Sequence, residues 1–177
     1  MKKIETKIKD CFILEPDIFG DDRGFFLETY QKRRYKDLGI NYEFVQDNYS
    51  RSSKGILRGL HFQKKKPQGK LVTVSLGEVY DVAVDLREKS NTFGQWASVI
   101  LSEDNKRQFW VPPGFAHGFL VISDSADFHY KCTDYYDKTD EGSISWDDPT
   151  LAIDWPINDP VLSIKDSNAP SFEEFLK

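Results

Sequence analysis

The sequence predicts an all-β domain, and three observations lead to that prediction. Apolar and polar side chains alternate with a period of two over most of the chain, as they do in half-buried strands. Turn-forming residues separate these stretches at short intervals, which is typical of a β-sandwich, jelly roll or barrel. Helical patterns are scarce. The 177 residues contain no internal repeat or linker, so we expect one domain over residues 1–177, large enough to bury a substantial core.

The clearest strands lie in KLVTVSLGEVYDVAVDLR, residues 70–87. Alternation predicts one apolar row on each side of the turn at Gly77. The row before the turn is Val72, Val74 and Leu76, and the row after it is Tyr80, Val82, Val84 and Leu86. Asp81, Ala83 and Asp85 would face the opposite way. The same pattern predicts a pair of strands in 94–101 and 106–112, joined through 102–105. Another pair is predicted in 117–123 and 127–136, joined around Asp124.

Two short helices complete the predicted elements. Residues 28–39 have the composition of a helix of two to three turns, stopped by Gly39 at the C′ position. Near the end, Ser171 and Glu174 have the spacing of a capping box and predict a helix over 171–176. Aromatic residues make up 14% of the chain, and we expect most of these rings to fill the β core.

Composition excludes several classes of function. The 24 Lys and Arg against 29 Asp and Glu give a net charge of -5, so there is no electrostatic reason to expect a nucleic-acid partner. No apolar run approaches the roughly 18 residues of a membrane span, and the N-terminus lacks the apolar segment of a secretory signal. Cys11 and Cys132 make neither a disulfide framework nor a zinc cluster, so we expect buried or half-buried thiols. These features favour a cytoplasmic protein without a membrane partner.

The segment RGLHFQ, residues 58–63, contains His61, one of three histidines in the chain. It could be a core side chain, a metal ligand or a base. Arg58, Gln63 and Lys70 surround it in sequence, and burying such side chains unpaired would cost several kcal/mol. A polar pocket is therefore favoured. Histidine also gains and loses its proton near neutral pH, which suits a base.

A second histidine follows a turn in WVPPGFAHGFLV, residues 110–121. The spacing from Pro112 through Gly114 to His117 resembles the second motif of cupins, P-x-G-x-x-H, in which the histidine is a ligand of metal cupins. The first cupin motif needs an H-x-H pair, but here the sequence is His61-Phe62-Gln63. An amide is a poor substitute for imidazole on a transition metal, so we expect no bound catalytic metal. A metal cupin oxygenase or isomerase remains an alternative.

In FHYKCTDYY, residues 128–136, alternation sends His129 and Tyr130 to opposite faces. We expect His129 to lie outward or at an edge. Tyr130 would share a face with Cys132 and Asp134. It is either a core residue or a proton donor whose pKa is tuned by nearby Lys or Arg.

Five segments in order carry a resemblance that covers nearly the whole chain, from about Glu15 to Lys165. They are DDRGFFLETY (21–30), RGLHFQ (58–63), PPGFAHGF (112–119), YKCTDYY (130–136) and LSIKD (162–166). The chain resembles the dTDP-4-dehydrorhamnose 3,5-epimerases. The resemblance implies a cupin-like jelly-roll barrel that acts as a homodimer without metal or organic cofactor. It implies a substrate that is a dTDP-linked 4-keto-6-deoxy sugar, inverted at C3 and C5 on the route to dTDP-L-rhamnose.

The resemblance also implies the roles of four residues. The protons at C3 and C5 are both α to the C4 ketone, so removing either leaves an enolate. His61 matches the base, and Asp166 matches the carboxylate that orients it. Tyr130 matches the acid that reprotonates from the opposite face. Lys70 matches the cation near the developing oxyanion.

The remaining matched positions would hold the nucleotide sugar. They are Arg23, Phe25, Glu28, Gln46, Asp47, Asn48, Arg58 and Tyr136, together with His117, Glu141 and Lys165, and we also place Gln63 in this pocket. Phe25 and Tyr136 offer flat faces to the base, and arginine suits a diphosphate.

Two structural expectations follow from the matched positions. Arg58 and His61 are three residues apart, so they reach one pocket only if Gly59 introduces a bulge or bend. The arm DDRG is far in sequence from the catalytic strands, and we expect it to cross to the partner subunit's site.

Two further functions remain open at this point. One is an epimerase that inverts a single carbon, or acts on another nucleotide-linked 4-keto sugar. The other is a barrel that binds a sugar or nucleotide without catalysis.

Overall fold

The computed structural model describes all residues, 1–177, and consists mainly of strands. In chain order the elements are β1 (Lys2–Glu5), β2 (Phe12–Glu15), β3 (Ile18–Asp21), β4 (Gly24–Leu27), α1 (Lys32–Asp37), β5 (Gln46–Ser53), β6 (Leu57–Gln63), β7 (Lys70–Leu76), β8 (Glu78–Asp85), β9 (Trp96–Ser102), β10 (Gln108–Val111), β11 (Phe115–Val121), β12 (Ser125–Cys132), β13 (Glu141–Ser143), α2 (Ile164–Ser167) and α3 (Phe172–Phe175). The predicted all-β class is confirmed.

Two antiparallel sheets enclose the main core. One has six strands in the order β1-β2-β10-β7-β12-β5, and the other has five in the order β13-β6-β11-β8-β9. Apolar side chains from both sheets, among them Val74, Val99 and Phe128, form the largest buried cluster. The remaining strands, β3 and β4, pair only with each other. This arrangement is the jelly-roll barrel that was predicted.

The predicted strands are confirmed, but the members of each predicted pair lie in different sheets. The β7–β8, β9–β10 and β11–β12 links all carry the chain from one sheet to the other. Both faces of β8 are buried, with Ala83 inside the barrel and Val82 on the outside beneath other segments. Alternation alone therefore did not distinguish a hairpin from a crossing.

Two of these crossings pack together and close one end of the barrel. Gly77 has φ 73°, and a Cβ there would lie 1.9 Å from the carbonyl oxygen of Ser125. Only glycine fits such a close approach of two backbones. Strand β7 begins at Lys70, at the other end of the barrel.

Further layers cover the outer faces of both sheets. Apolar residues of the segment from Ile144 onward, such as Leu151, Trp155 and Phe172, pack on the five-stranded sheet. Tyr35 of α1 packs with Trp110 and its neighbours on the six-stranded sheet. The C-terminal segment is therefore part of the fold and is held against the barrel by its own core.

The predicted helices are confirmed with shorter bounds. Helix α1 starts at Lys32 and ends before Gly39, whose φ of 108° matches the predicted C′ position. Helix α3 has the complete capping box between Ser171 and Glu174. Helix α2 was not predicted, because four residues are too few to show a helical period.

Three negative findings also bear on function. No helix is long and apolar enough to cross a membrane. No group of three or more His, Cys, Asp or Glu side chains is placed to hold a metal ion. Cys11 and Cys132 are both free and buried, as the sequence predicted.

Candidate active site

The centre of the candidate site is a hydrogen bond between His61 and Asp166. Their Nε2 and Oδ1 atoms are 2.5 Å apart, although 105 residues separate them in sequence. The side chain of His61 is 28% exposed and that of Asp166 only 4%. A carboxylate can only accept, so Nε2–H donates and Nδ1 is left as the basic atom. Burial raises the pKa of Asp166, but the hydrogen bonds from His61 and Ser163 and the charges of His61 and Lys165 together outweigh it, so the net pKa is lowered.

A bulge in β6 brings Arg58 to the same pocket as His61. Their partners on β11 are Phe119 and His117, so three steps along β6 correspond to two along β11. Gly59, within the bulge, has φ 138°, and a Cβ there would lie 2.5 Å from the Cα of Gly118. The predicted irregularity at Gly59 is confirmed. A cavity of about 260 Å³ is lined by Arg58, His61, Lys165 and Asp166, among others.

Lys70 and Tyr130 lie on neighbouring strands of the facing sheet, β7 and β12. The ammonium of Lys70 is 5.9 Å from the ring centroid of Tyr130. Burial lowers the pKa of Lys70. Burial also raises the pKa of Tyr130 to about 12, against the opposing charge of Arg58. Tyr130 is therefore a phenol that keeps its proton at neutral pH, as a donor must.

A chain of polar contacts surrounds the mouth of the pocket. Glu141 on β13 pairs with Lys165 at 2.5 Å and accepts a hydrogen bond from the hydroxyl of Tyr136 at 3.1 Å. The backbone N–H of Tyr136 donates to Gln46, and the amide of Gln46 donates to Asn48. These bonds connect the exposed ring of Tyr136 to the helix that carries Asp166.

Asp47 lies apart from its two sequence neighbours. Gln46 and Asn48 face inward, and Asn48 contacts the sulfur of Cys132 at 3.5 Å. The carboxylate of Asp47 instead pairs with Lys131 at 3.0 Å on the outer face of the same sheet. Alternation along β5 explains this, because adjacent side chains point to opposite faces.

Gln63 does not present its amide to the pocket. It is buried, its nitrogen donates to the carbonyl oxygens of Lys66 and Tyr135, and its oxygen accepts from the N–H of Asp137. The structure therefore does not support the expected substrate contact. Gln63 instead links the loop that contains Lys66 to the loop that contains Tyr135 and Asp137 by hydrogen bonds.

Arg23, Phe25 and Glu28 belong to or follow the β3–β4 hairpin and do not join this group. Arg23 pairs with Asp21, the ring of Phe25 lies under Lys106, and Glu28 pairs with Arg34. The side chain of Arg23 is 89% exposed. Within this one chain, none of the three contacts another residue of the predicted site.

The sequence analysis missed two residues that support the site. Asp81 is fully buried and accepts a hydrogen bond from Nε2 of His117 at 2.8 Å. Ser163 caps α2, and its hydroxyl accepts from the N–H of Asp166 at 3.1 Å. An acid between Tyr80 and Val82 in an apolar strand was the available signal for Asp81. His129 lies outward against Ser75 and Tyr49, as expected.

The comparison with known families agrees with this geometry. The family model described as dTDP-4-dehydrorhamnose 3,5-epimerase matches residues 5–174. The chain belongs to this family. Among its members, a dTDP-4-dehydrorhamnose 3,5-epimerase of Salmonella typhimurium is 53% identical over 176 residues, which cover 98% of this chain and 96% of the relative.

Two solved members of the epimerase family superpose closely on the barrel. One, from Legionella pneumophila Philadelphia 1, is a dTDP-6-deoxy-D-glucose-3,5-epimerase in complex with dTDP-4-keto-L-rhamnose. It is 59% identical, with a TM-score of 0.95 over 97% of this chain and 93% of that chain. Another, from Bacillus anthracis with TDP and PPi bound, is 50% identical, with a TM-score of 0.94 over 97% of this chain and 99% of that chain. The cupin-like fold and the family predicted from five segments are confirmed.

Proposed function

We propose that this epimerase inverts C3 and C5 of a dTDP-linked 4-keto-6-deoxy sugar, in the synthesis of dTDP-L-rhamnose. The observation that carries the proposal is the His61–Asp166 pair on one sheet, together with Lys70 and Tyr130 on the facing sheet, where the charges of Arg58 and Glu141 reach Tyr130. The family and its relatives support the substrate class.

His61 is the base in this proposal. Asp166 accepts the hydrogen bond from Nε2–H, which fixes the tautomer and leaves Nδ1 free to take a proton from carbon. Because C3 and C5 both flank the C4 ketone, one base can remove either proton and leave the same kind of enolate. General base catalysis of this kind contributes about 10²- to 10⁴-fold.

Lys70 and Tyr130 complete the chemistry. The Lys70 ammonium stabilises the negative charge that develops on the C4 oxygen, and its buried position makes that interaction stronger than in water. Tyr130 then returns a proton to the carbon from the face opposite His61. Its pKa of about 12 keeps the hydroxyl protonated until that step. Delivery from the opposite face is what turns exchange into inversion.

The nucleotide would lie across the mouth of the pocket. Tyr136 offers an exposed ring for the thymine, and Glu141 holds its hydroxyl. Arg58 and Lys165 supply positive charge for the diphosphate at the same cavity. Gln46 and Asn48 provide inward-facing amides for the base or sugar.

A homodimer would complete this site. The β3–β4 arm, residues 18–27, exposes Ile18, Phe19, Phe25 and Phe26 by 48–69%. Apolar side chains so exposed on a separate hairpin favour burial against another chain. The arm would then carry Arg23 and Phe25, with Glu28 beyond it, into the partner's pocket. A Phe26→Glu variant should be monomeric and bind dTDP more weakly, whereas a monomer with normal dTDP affinity would contradict the arm's role.

We also propose that the enzyme works in the cytoplasm. Two free, buried cysteines fit a reducing compartment.

The test of the reaction is isotope exchange. The enzyme is incubated with dTDP-4-keto-6-deoxyglucose in D₂O, and the H3 and H5 signals are followed by proton NMR. Wild type should lose both signals, and His61→Ala should lose neither while still binding dTDP. Loss of one signal would indicate an epimerase of a single carbon. No exchange in wild type would contradict the proposal and favour another nucleotide sugar or binding without catalysis.

A further inference from the structure

Asp81 is a buried carboxylate with one unused oxygen. Its side chain is 0% exposed on β8 and points into the barrel, where Oδ1 accepts from His117 at 2.8 Å. Oδ2 is buried and has no hydrogen-bond partner. A purely structural aspartate is normally satisfied on both oxygens, as Asp85 on the same strand is by Arg87, Ser90 and Thr92. The unused oxygen of Asp81 therefore requires another explanation.

Lys70 is the cation that lacks a partner in the same interior. It forms no salt bridge, and its ammonium lies 5.9 Å from the ring centroid of Tyr130. The acidic groups near enough to affect its pKa are Cys132, Asp81 and Glu141. Both carboxylate oxygens of Glu141 are already bound, one by Lys165 and one by Tyr136. Burial raises the pKa of Cys132, so it is a neutral thiol. Asp81 is left as the one uncommitted negative group.

We propose that Asp81 and Lys70 ionise as a pair inside the barrel. Asp81 is then a positioning residue: it keeps the ammonium of Lys70 charged where the C4 oxygen of the substrate becomes negative. The inference rests on the proposed function for the role of Lys70, whereas the paired ionisation rests on the unpartnered Oδ2 of Asp81 and on the charges that the two buried groups exert on each other.

Physical chemistry makes the two ionisations interdependent. Burial raises the pKa of Asp81 and lowers that of Lys70, so each group alone would be driven to its neutral form. The charge of each opposes the shift of the other, and His117 adds a donor to the carboxylate. The groups that face the pair come from three strands and the segment before β2, and they are His117, Tyr130, Cys132, Glu141 and Cys11. Of these, Glu141 alone is negative, and it is neutralised by Lys165.

The first experiment compares Asp81→Asn with Asp85→Asn. Both variants remove a buried carboxylate from β8 and keep the shape of the side chain, but only the charge of Asp81 acts on Lys70. In Asp81→Asn the alkaline limb of the kcat profile should move to lower pH, and kcat at pH 9 relative to pH 7 should fall about tenfold below the wild-type ratio. KM should change little. Asp85→Asn should lose thermal stability and keep the wild-type profile. An unchanged profile in a folded Asp81→Asn would overturn the proposal.

The second experiment does not need Asp81 to be changed. The ¹³C signal of the Asp81 carboxyl group is titrated in the wild type and in Lys70→Met. The carboxyl should be ionised at pH 7 in the wild type, and its titration should move to higher pH when the lysine charge is lost. A carboxyl that is protonated at pH 7 in the wild type, or insensitive to Lys70→Met, would overturn the proposal. Because this readout needs no substrate, it separates a failure of the pair from a failure of the proposed reaction.

Discussion

The barrel contains two histidine–aspartate pairs, and their surroundings differ. His61 and Asp166 meet at the mouth, where the imidazole is 28% exposed. His117 and Asp81 meet in the interior, where the side chains are 6% and 0% exposed. The two histidines lie opposite each other on neighbouring strands, because β6 and β11 pair at these positions. The same two residue types are thus used twice within one small region.

The difference between the pairs teaches which of them can exchange protons with a substrate. Asp166 keeps a lowered pKa despite its burial, so it is a stable carboxylate behind an accessible ring. For Asp81 and His117 burial prevails: the pKa of Asp81 is raised and that of His117 is lowered. The mouth pair suits a base that cycles between two states. The interior pair suits a fixed electrostatic and structural element.

The largest expected effect is on the mouth pair. Asp166→Asn keeps the shape but removes the negative charge, and its NH₂ group can donate to Nε2 and stabilise the other tautomer of His61. We expect kcat to fall about 10²- to 10⁴-fold with little change in dTDP affinity. Steady-state kinetics and dTDP titration measure the two quantities. A fall of less than about fivefold would show that His61 needs no carboxylate.

Removing each histidine should separate the pairs by stability. At pH 7, His117→Ala leaves a buried carboxylate without its donor and should lower the free energy of unfolding by about 3–5 kcal/mol. His61→Ala should lower it less, by about 1 kcal/mol, because water can replace the 28% exposed ring and Asp166 keeps its interactions with Ser163 and Lys165. Urea unfolding of both variants gives the comparison. Equal losses would contradict the assignment of one pair to stability and the other to reactivity.

A smaller effect is expected from the cap that holds Asp166. Ser163→Ala removes the N-cap of α2 and should cost about 1 kcal/mol of stability. It should also reduce kcat several-fold, because the carboxylate loses its fixed position. Ser171→Ala, which removes the equivalent cap of α3, is the matched control. It should cost similar stability and leave kcat unchanged. Identical kcat values in both variants would argue against a role for the cap in positioning Asp166.

The smallest effect concerns pH, and here the two aspartates should differ in sign. The lowered pKa of Asp166 stabilises the fold above its unfolded pKa, near 3.9, and this contribution is lost as pH falls through the folded value. The difference in the free energy of unfolding between wild type and Asp166→Asn should therefore become smaller as the pH falls. The pKa of Asp81 is raised, so protonation in acid favours the folded wild type. The free energy of unfolding of the wild type should therefore rise relative to that of Asp81→Asn as the pH falls. Urea unfolding between about pH 3 and 7 tests both signs.

The sequence predicted the mouth of the barrel better than its interior. His61, Asp166 and Tyr136 lie in segments with a distinct order and spacing, and the family resemblance assigned them before any geometry was known. Asp81 lies in a strand where alternation places it opposite an apolar row, which ordinarily means solvent. Its burial depends on the six-stranded sheet, including β12, lying over that face, and the packing of one sheet on another is a tertiary property.

The connections and the arm show the same limit. The residues around Gly77 predicted a turn correctly, but a turn within a sheet and a crossing between sheets have the same local composition. Similarly, β5 was predicted to offer Gln46, Asp47 and Asn48 together. Adjacent side chains of a strand point to opposite faces, so Asp47 points away from the site and pairs with Lys131. The sequence analysis could not show this, because it did not identify β5 as a strand.

The C-terminal segment that carries Asp166 also determines when, during synthesis, the chain can finish folding. Residues from Ile144 onward cover the outer face of the five-stranded sheet, so a chain emerging from the ribosome has that apolar face bare until its last part is made. The same part delivers the carboxylate that orients His61. Strand partners distant in sequence make such a barrel slow to fold. Catalytic competence and protection from aggregation are therefore acquired in the same final step, and recovered activity during refolding reports the closure of the whole molecule.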